Sequence, residues 1–193
     1  IQAIGMVKKA AAIANHECGY IDEERLGYII QACDEVISGL HNDSFITDVI
    51  QGGAGTSVNM CANEVIANRA AQLANQPIGV YDYIHPNDHI NFGQSTNDVF
   101  PTSGKLAALF LVDELQKEVQ LLRTSVLSKS REFSKILKVG RTHLQDAVPI
   151  KLGQEFHAYA TALTRDIKRI NLAFNDLKSV NMGATAVGTG INT

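Results

Sequence analysis

An apolar stripe between residues 152 and 177 constrains the fold more than any other feature of the chain. Leu152, Phe156, Tyr159, Leu163, Ile167, Ile170, Phe174 and Leu177 recur at steps of 4, 3, 4, 4, 3, 4 and 3. That alternation keeps large side chains on one face at about 3.6 residues per turn, so the spacing predicts one unbroken helix. A second long helix is expected from near Asn97, with Pro101 in its first turn, where a missing N–H costs little. It carries Leu111, Leu115, Leu122 and Val126 on one face and runs past Ser130, a rod of about 45 Å at ~1.5 Å per residue. Two such helices with few strands imply a mainly α chain built around a bundle. A lone pair offers too little surface to cover both stripes, so further helices are expected from a longer polypeptide or from other subunits.

The rest of the chain is read as shorter pieces. Ala3 to Asn15 and Glu23 to Ser38 are rich in Ala, Ile and Leu, with Gly39 and Asn42 as stops. From Ser57 to Asn75 the positions Val58, Cys61, Val65, Ile66 and Leu73 keep helical spacing until Gln76-Pro77. A loop broken by Pro86 and Gly93 follows, and between the long helices Ile136 to Val139 and Val148 to Ile150 read as short β pieces. The expected division is an N-terminal helical domain over 1–96 and the start of a bundle domain over 97–193.

Composition narrows the function classes. With 17 basic against 20 acidic residues the net charge is −3, too mild for a nucleic-acid or membrane-surface partner. The longest apolar run, Leu106 to Val112, is too short to span a bilayer. Cys18, Cys33 and Cys61 are odd in number and lack metal or redox spacing, which favours reduced, packing thiols in a cytoplasmic protein. A start at Ile1 and a polar, glycine-rich finish read as a piece of a longer polypeptide.

Three polar segments carry the candidate chemistry. Gly52-Gly53-Ala54-Gly55-Thr56-Ser57 precedes a helix; its glycines allow close approach to a ligand, and Thr56 or Ser57 is expected to cap. It lacks the lysine of a phosphate loop and the third glycine of a dinucleotide fingerprint, which leaves capping and ligand binding both open. Ser95, Thr96 and Asn97 stand together at the predicted start of the long helix, followed by Asp98. One of them suffices as a cap; the excess, beside free N–H groups and the positive end of the helix dipole, points to a carboxylate ligand. Thr142-His143 closes a β piece beside Arg141, and its imidazole is suited to orienting or exchanging a proton or to a plain structural role. In His85-Pro86-Asn87-Asp88-His89 the proline disfavours a helical metal-binding pair, so Asn87 and Asp88 are read as turn or cap residues and no metal is expected.

The runs QGGAGTSVNM at 51–60, NEVIANRA at 63–70, HPNDHIN at 85–91, GQSTND at 93–98, GRTHLQDAVPIKLGQEF at 140–156 and GATAVGTGINT at 183–193 resemble the aspartase/fumarase superfamily. The resemblance covers essentially the whole chain, in order and spacing. Gly53 to Ser57, Gly93 to Asn97 and Asp146 to Ile150 look like its ammonia-lyase branch, whereas the class II fumarase branch usually has Gln where Ser57 stands and Ser where Thr96 stands. The implied fold is the L-aspartase/fumarase-like one: an N-terminal helical domain plus the first long helices of a central bundle. The implied reaction is reversible elimination of ammonia from L-aspartate to give fumarate, with no cofactor, in a homotetramer. Fumarate hydration is the alternative reading, and a non-catalytic helical assembly module is the alternative of another class.

The resemblance further implies that Thr56, Ser95 and Thr96 hold the β-carboxylate, that Asn97 and His143 contact the amino group, and that Thr142 helps hold the α-carboxylate. It implies a second anion site at His85, Asn87 and Asp88. The serine base on a glycine-serine loop and the Met-Pro-x-Lys-x-Asn stretch of the family do not occur in these 193 residues, so the chain alone is expected to be inactive.

Overall fold

The structure, a computed structural model, describes residues 1–191. It divides into two compact units, one comprising Ile1–Ala107 with the segment from Ser179 onward and the other Ala108–Lys178.

The first unit is built on α1 (Gln2–Glu17), α2 (Glu23–Ser38) and α3 (Thr56–Leu73), and it includes the start of α4 (Thr96–Glu132). Local chemistry sets the limits of α2. Asp22 accepts the N–H of Arg25 at the N-terminus, and Gly39 closes the C-terminus in the left-handed conformation, φ 89°. The face that α2 buries carries Leu26, Ile29, Ala32, Cys33 and Val36, which pack with Ile66, Ala67 and Ala70 of α3 and with Ala12 of α1. Small residues on α3 let the helices approach closely, and burial pushes the Cys33 thiol up to about 12. Cys33 is therefore a packing thiol, whereas Cys18 is exposed and does not fit that expectation. A second cluster of Ile4, Val7, Ala62 and Val99 joins α1 and α3 to the first turns of α4.

The second unit contains the rest of α4, the strands β1 (Leu137–Thr142) and β2 (Gln145–Lys151), and α5 (Leu152–Leu177). The α5 limits agree with the apolar stripe. The strands form an antiparallel hairpin, with Leu137 opposite Lys151 and Thr142 opposite Gln145. They are longer than the β pieces expected from sequence, because polar residues such as Arg141, Gln145 and Asp146 sit in an exposed ribbon that hydrophobic patterning does not mark. Helices α4 and α5 are joined by Arg123 Nε to Thr164 Oγ1 at 2.7 Å and Gln116 Nε2 to Asn171 Oδ1 at 2.7 Å. At Gly153 the helices come so close that a Cβ would lie 2.3 Å from the Ser130 carbonyl oxygen. The stripes themselves are not core among the described residues: Leu111, Leu115, Leu122 and Tyr159 are exposed, and only Gly153 and Ala160 of α5 are buried. Among the described residues no helix is long and apolar enough to cross a membrane.

Candidate substrate-binding site

The start of α4 is where polar side chains converge. Ser95 precedes the helix, and its Oγ accepts the Asn97 N–H at 3.2 Å while Asp98 Oδ1 accepts the Ser95 N–H at 3.0 Å, a reciprocal cap. Asp98 is fully buried, and its other oxygen accepts the Thr185 N–H at 2.9 Å, which ties the 183–191 segment to the helix start. Asn97 donates from Nδ2 to the Ala186 carbonyl at 2.7 Å and lies exposed. Its Oδ1 makes no hydrogen bond among the described residues. Thr96 Oγ1 accepts from Asn59 Nδ2 of α3 at 3.1 Å, so its own O–H stays available for another oxygen. The Asn97, Asp98 and Val99 N–H groups are spent on Ser95, so the helix start offers the Ser95 and Thr96 hydroxyls and the Thr96 N–H to an anion and the Asn97 side-chain oxygen to a cation.

Thr56 belongs to the same unit. The structure corrects the capping role expected of Thr56 or Ser57: Gly55, at φ 86°, is the N-cap of α3, and no side chain caps the helix. Thr56 instead donates from Oγ1 to the Gly53 carbonyl at 2.9 Å, folding the turn onto itself. Gly55 is obligatory on two counts, its left-handed backbone and the Phe100 ring of α4, which a Cβ would meet at 2.5 Å. Thr56 remains exposed beside this turn.

Thr142 and His143 lie in the other unit, at the tip of the hairpin. His143 and Leu144 form its two-residue turn, with φ 48° and 60°. Both values lie in the left-handed region, the conformation of a type I′ turn that usually selects Asn-Gly. A histidine held there by strand pairing is a strained residue in the place of an easy one, a pattern concentrated at functional sites. The ring is exposed, and beside it Arg141 Nε pairs with Asp146 Oδ1 at 3.2 Å.

The loop at 85–91 winds into a single π turn, Pro86–Ile90. Its cap is an imidazole rather than Asn87 or Asp88: His85 Nδ1 accepts the N–H groups of both, each at 3.1 Å. His85 Nδ1 is therefore the unprotonated ring nitrogen in the neutral form. His89 Nδ1 accepts the His85 N–H at 2.8 Å, and burial, then Arg25, lowers its pKa. Among the described residues no three His, Cys, Asp or Glu side chains are grouped to hold a metal.

Periodicity did not reveal the support beneath Thr96. Lys8 of α1, fully buried, donates to Asn91 Oδ1 at 2.8 Å and Gln94 Oε1 at 3.0 Å. Burial lowers its pKa to about 7, with the charges of Cys33 and Asp98 acting in the opposite direction. Asn59, also fully buried, donates to Asn91 Oδ1 at 3.2 Å as well as to Thr96. The available signal was Asn59 and Asn63 at a helical step on the face that α3 buries with Ile66 and Ala67.

A family profile described as lyase matches residues 1–193. The chain belongs to this lyase family. Among the family's curated proteins it is similar to an aspartate ammonia-lyase of a Bacillus species, 55% identical across all of this chain and 41% of the relative. It is also similar to a class II fumarate hydratase of Halobacterium salinarum, 50% identical across all of this chain and 41% of that protein. Among solved structures, a fumarate lyase:delta crystallin from Brucella melitensis bound to cobalt superposes with a TM-score of 0.93 at 49% identity, over 100% of this chain and 42% of that one. The chain spans about two fifths of the length of the relatives it matches. The mainly helical aspartase/fumarase-like fold expected from the sequence is thereby shown.

Proposed function

We propose that the full-length protein carrying this chain is an aspartate ammonia-lyase, converting L-aspartate to fumarate and ammonia, and that the start of α4 holds the substrate's β-carboxylate. The observation that carries the reading is the Thr96 hydroxyl: Asn59 fills its acceptor side, and its O–H is left for an incoming oxygen. Removal of a proton from the β-carbon converts the carboxylate into an aci-carboxylate with a second negative charge, so fixed donors around that end lower the barrier. The Ser95 and Thr96 hydroxyls and the Thr96 N–H supply them, and Thr56 adds a further hydroxyl when it turns from the Gly53 carbonyl to the ligand. The free Oδ1 of Asn97 suits the departing ammonium, and His143 is assigned to the same group, with Thr142 on the α-carboxylate. His85, Asn87 and Asp88 are assigned a second anion site, where the cap on His85 Nδ1 leaves Nε2 as the ring donor. The same reading makes the assembled protein a homotetramer and makes these 193 residues inactive by themselves; fumarate production by the isolated chain overturns the latter claim.

The substrate assignment rests on Ser57 and Thr96 together with the aspartate ammonia-lyases among the relatives. The fumarate hydratase at 50% identity is the observation that favours a second reading, water in place of ammonia. Fumarate release from the full-length protein, given L-aspartate or L-malate as sole substrate, separates the two. Release from aspartate alone supports the ammonia-lyase. Release from malate alone makes the protein a hydratase, and release from neither removes both readings.

A further inference from the structure

Thr96 is useful as a donor only if something else occupies its acceptor side, and the buried network beneath it does this through a chain of fixed amides. Gln94 Nε2 donates to the carbonyls of Ile90 and Phe92 at 2.9 and 3.1 Å, which leaves its Oε1 to meet Lys8. Asn91 Nδ2 donates to the Gln94 carbonyl at 3.2 Å, so its Oδ1 is the atom that meets both Lys8 and Asn59. Carbonyl oxygens only accept, and the Lys8 amine donates to both amide oxygens whether or not it carries its third proton. Asn59 must then turn its NH2 toward Asn91, and the same NH2 reaches Thr96 Oγ1. Its Oδ1 is buried and makes no hydrogen bond among the described residues. What the orientation accomplishes is at the other end of the amide.

We propose that Asn59, oriented by Asn91 and Lys8, is a positioning residue that commits the Thr96 hydroxyl to donate into the site. The proposal rests on the reading of Thr96 as a carboxylate donor. With the NH2 of Asn59 against its oxygen, the Thr96 O–H cannot turn inward and points to the ligand. Asn59 and Lys8 touch no substrate, and their effect on the reaction passes through Thr96 alone.

A double-mutant cycle in the full-length enzyme tests this, with kcat and KM for L-aspartate measured for N59L, T96V and the double variant. N59L removes the hydrogen bonds to Thr96 and to Asn91 together with the orphaned oxygen, while Lys8 continues to serve Asn91 Oδ1. The expected result is a loss in kcat/KM of about tenfold for N59L, the scale of one misdirected hydrogen bond, and a double variant no worse than T96V alone. Both losses should divide between kcat and KM in the same proportion. Independent penalties that multiply overturn the proposal, because a merely structural Asn59 harms the enzyme equally with or without the Thr96 hydroxyl. If N59L does not reach the wild-type circular dichroism and assembly state, K8M is read against T96V by the same criterion. A T96V enzyme with unchanged kcat/KM overturns the carboxylate reading itself, an outcome distinct from a multiplicative cycle.

Discussion

In the first unit Ile29, Cys33, Val36 and Ile66 are 0% exposed, whereas on α5 only Gly153 and Ala160 are buried and on α4 Leu115 remains 50% exposed. The sequence signal runs the other way, since the stripe on α5 is the longest in the chain and the pattern on α3 is interrupted by Asn59 and Asn63. Periodicity thus reports which face of a helix is apolar and says nothing of whether a partner covers it. Small side chains decide that within the chain. Ala32, Ala62, Ala67 and Ala70 let α1, α2 and α3 close on one another, while α4 and α5 meet tightly where Gly153 admits the Ser130 carbonyl.

Substitutions along each stripe sharpen the contrast. Ile66→Ala opens a cavity in the closed unit and is expected to cost about 2–5 kcal/mol in urea unfolding of the chain; a loss below ~1 kcal/mol breaks the claim of a tight core there. Gly153→Ala forces a methyl into backbone atoms that have nowhere to go, with an expected loss of about 1–3 kcal/mol read from the unfolding of α4 and α5. Leu115→Ala, on the open face, is expected to cost under about 1 kcal/mol in the same chain, because a half-exposed side chain forfeits little burial.

The polar heart of the first unit gives a pH signature of about 2 kcal/mol. Lys8 is held near 7 in the folded chain and titrates near 10.5 when unfolded, so between these values the unfolded state binds more protons. Stability should therefore rise by about 2 kcal/mol from pH 7 to pH 9, and the rise should vanish in K8M. Cys33, raised to about 12, acts with the opposite sign, but by pH 9 it takes back only about 0.4 kcal/mol of this rise. A wild-type chain with a flat profile over that range contradicts the buried lysine.

How much of this was legible follows from the same contrast. The limits of α2 are legible in its composition and its closing glycine, and those of α5 in the apolar steps that run its full length. Ser95, Thr96 and Asn97 could be picked out because three polar residues exceed what a helix cap requires. The tip at His143 and Leu144 could not be assigned a conformation, since its left-handed backbone is imposed by strand pairing and neither residue asks for it. In the 85–91 loop Asn87 and Asp88 lie in the turn as expected, but the cap is an imidazole, seldom a cap, in the place that Asn and Asp usually fill. Lys8 and Asn59 were invisible for a different reason. Their role depends on contacts across 83 and 37 positions of sequence, which no local pattern encodes.

The most direct test of the account is the kcat/KM of full-length T96V for L-aspartate, with circular dichroism and assembly state as controls. Loss of one donor to the aci-carboxylate predicts a fall on the order of a hundredfold with the fold intact. A T96V enzyme that folds, assembles and turns over aspartate at the wild-type rate contradicts the assignment of the start of α4 as the carboxylate cradle.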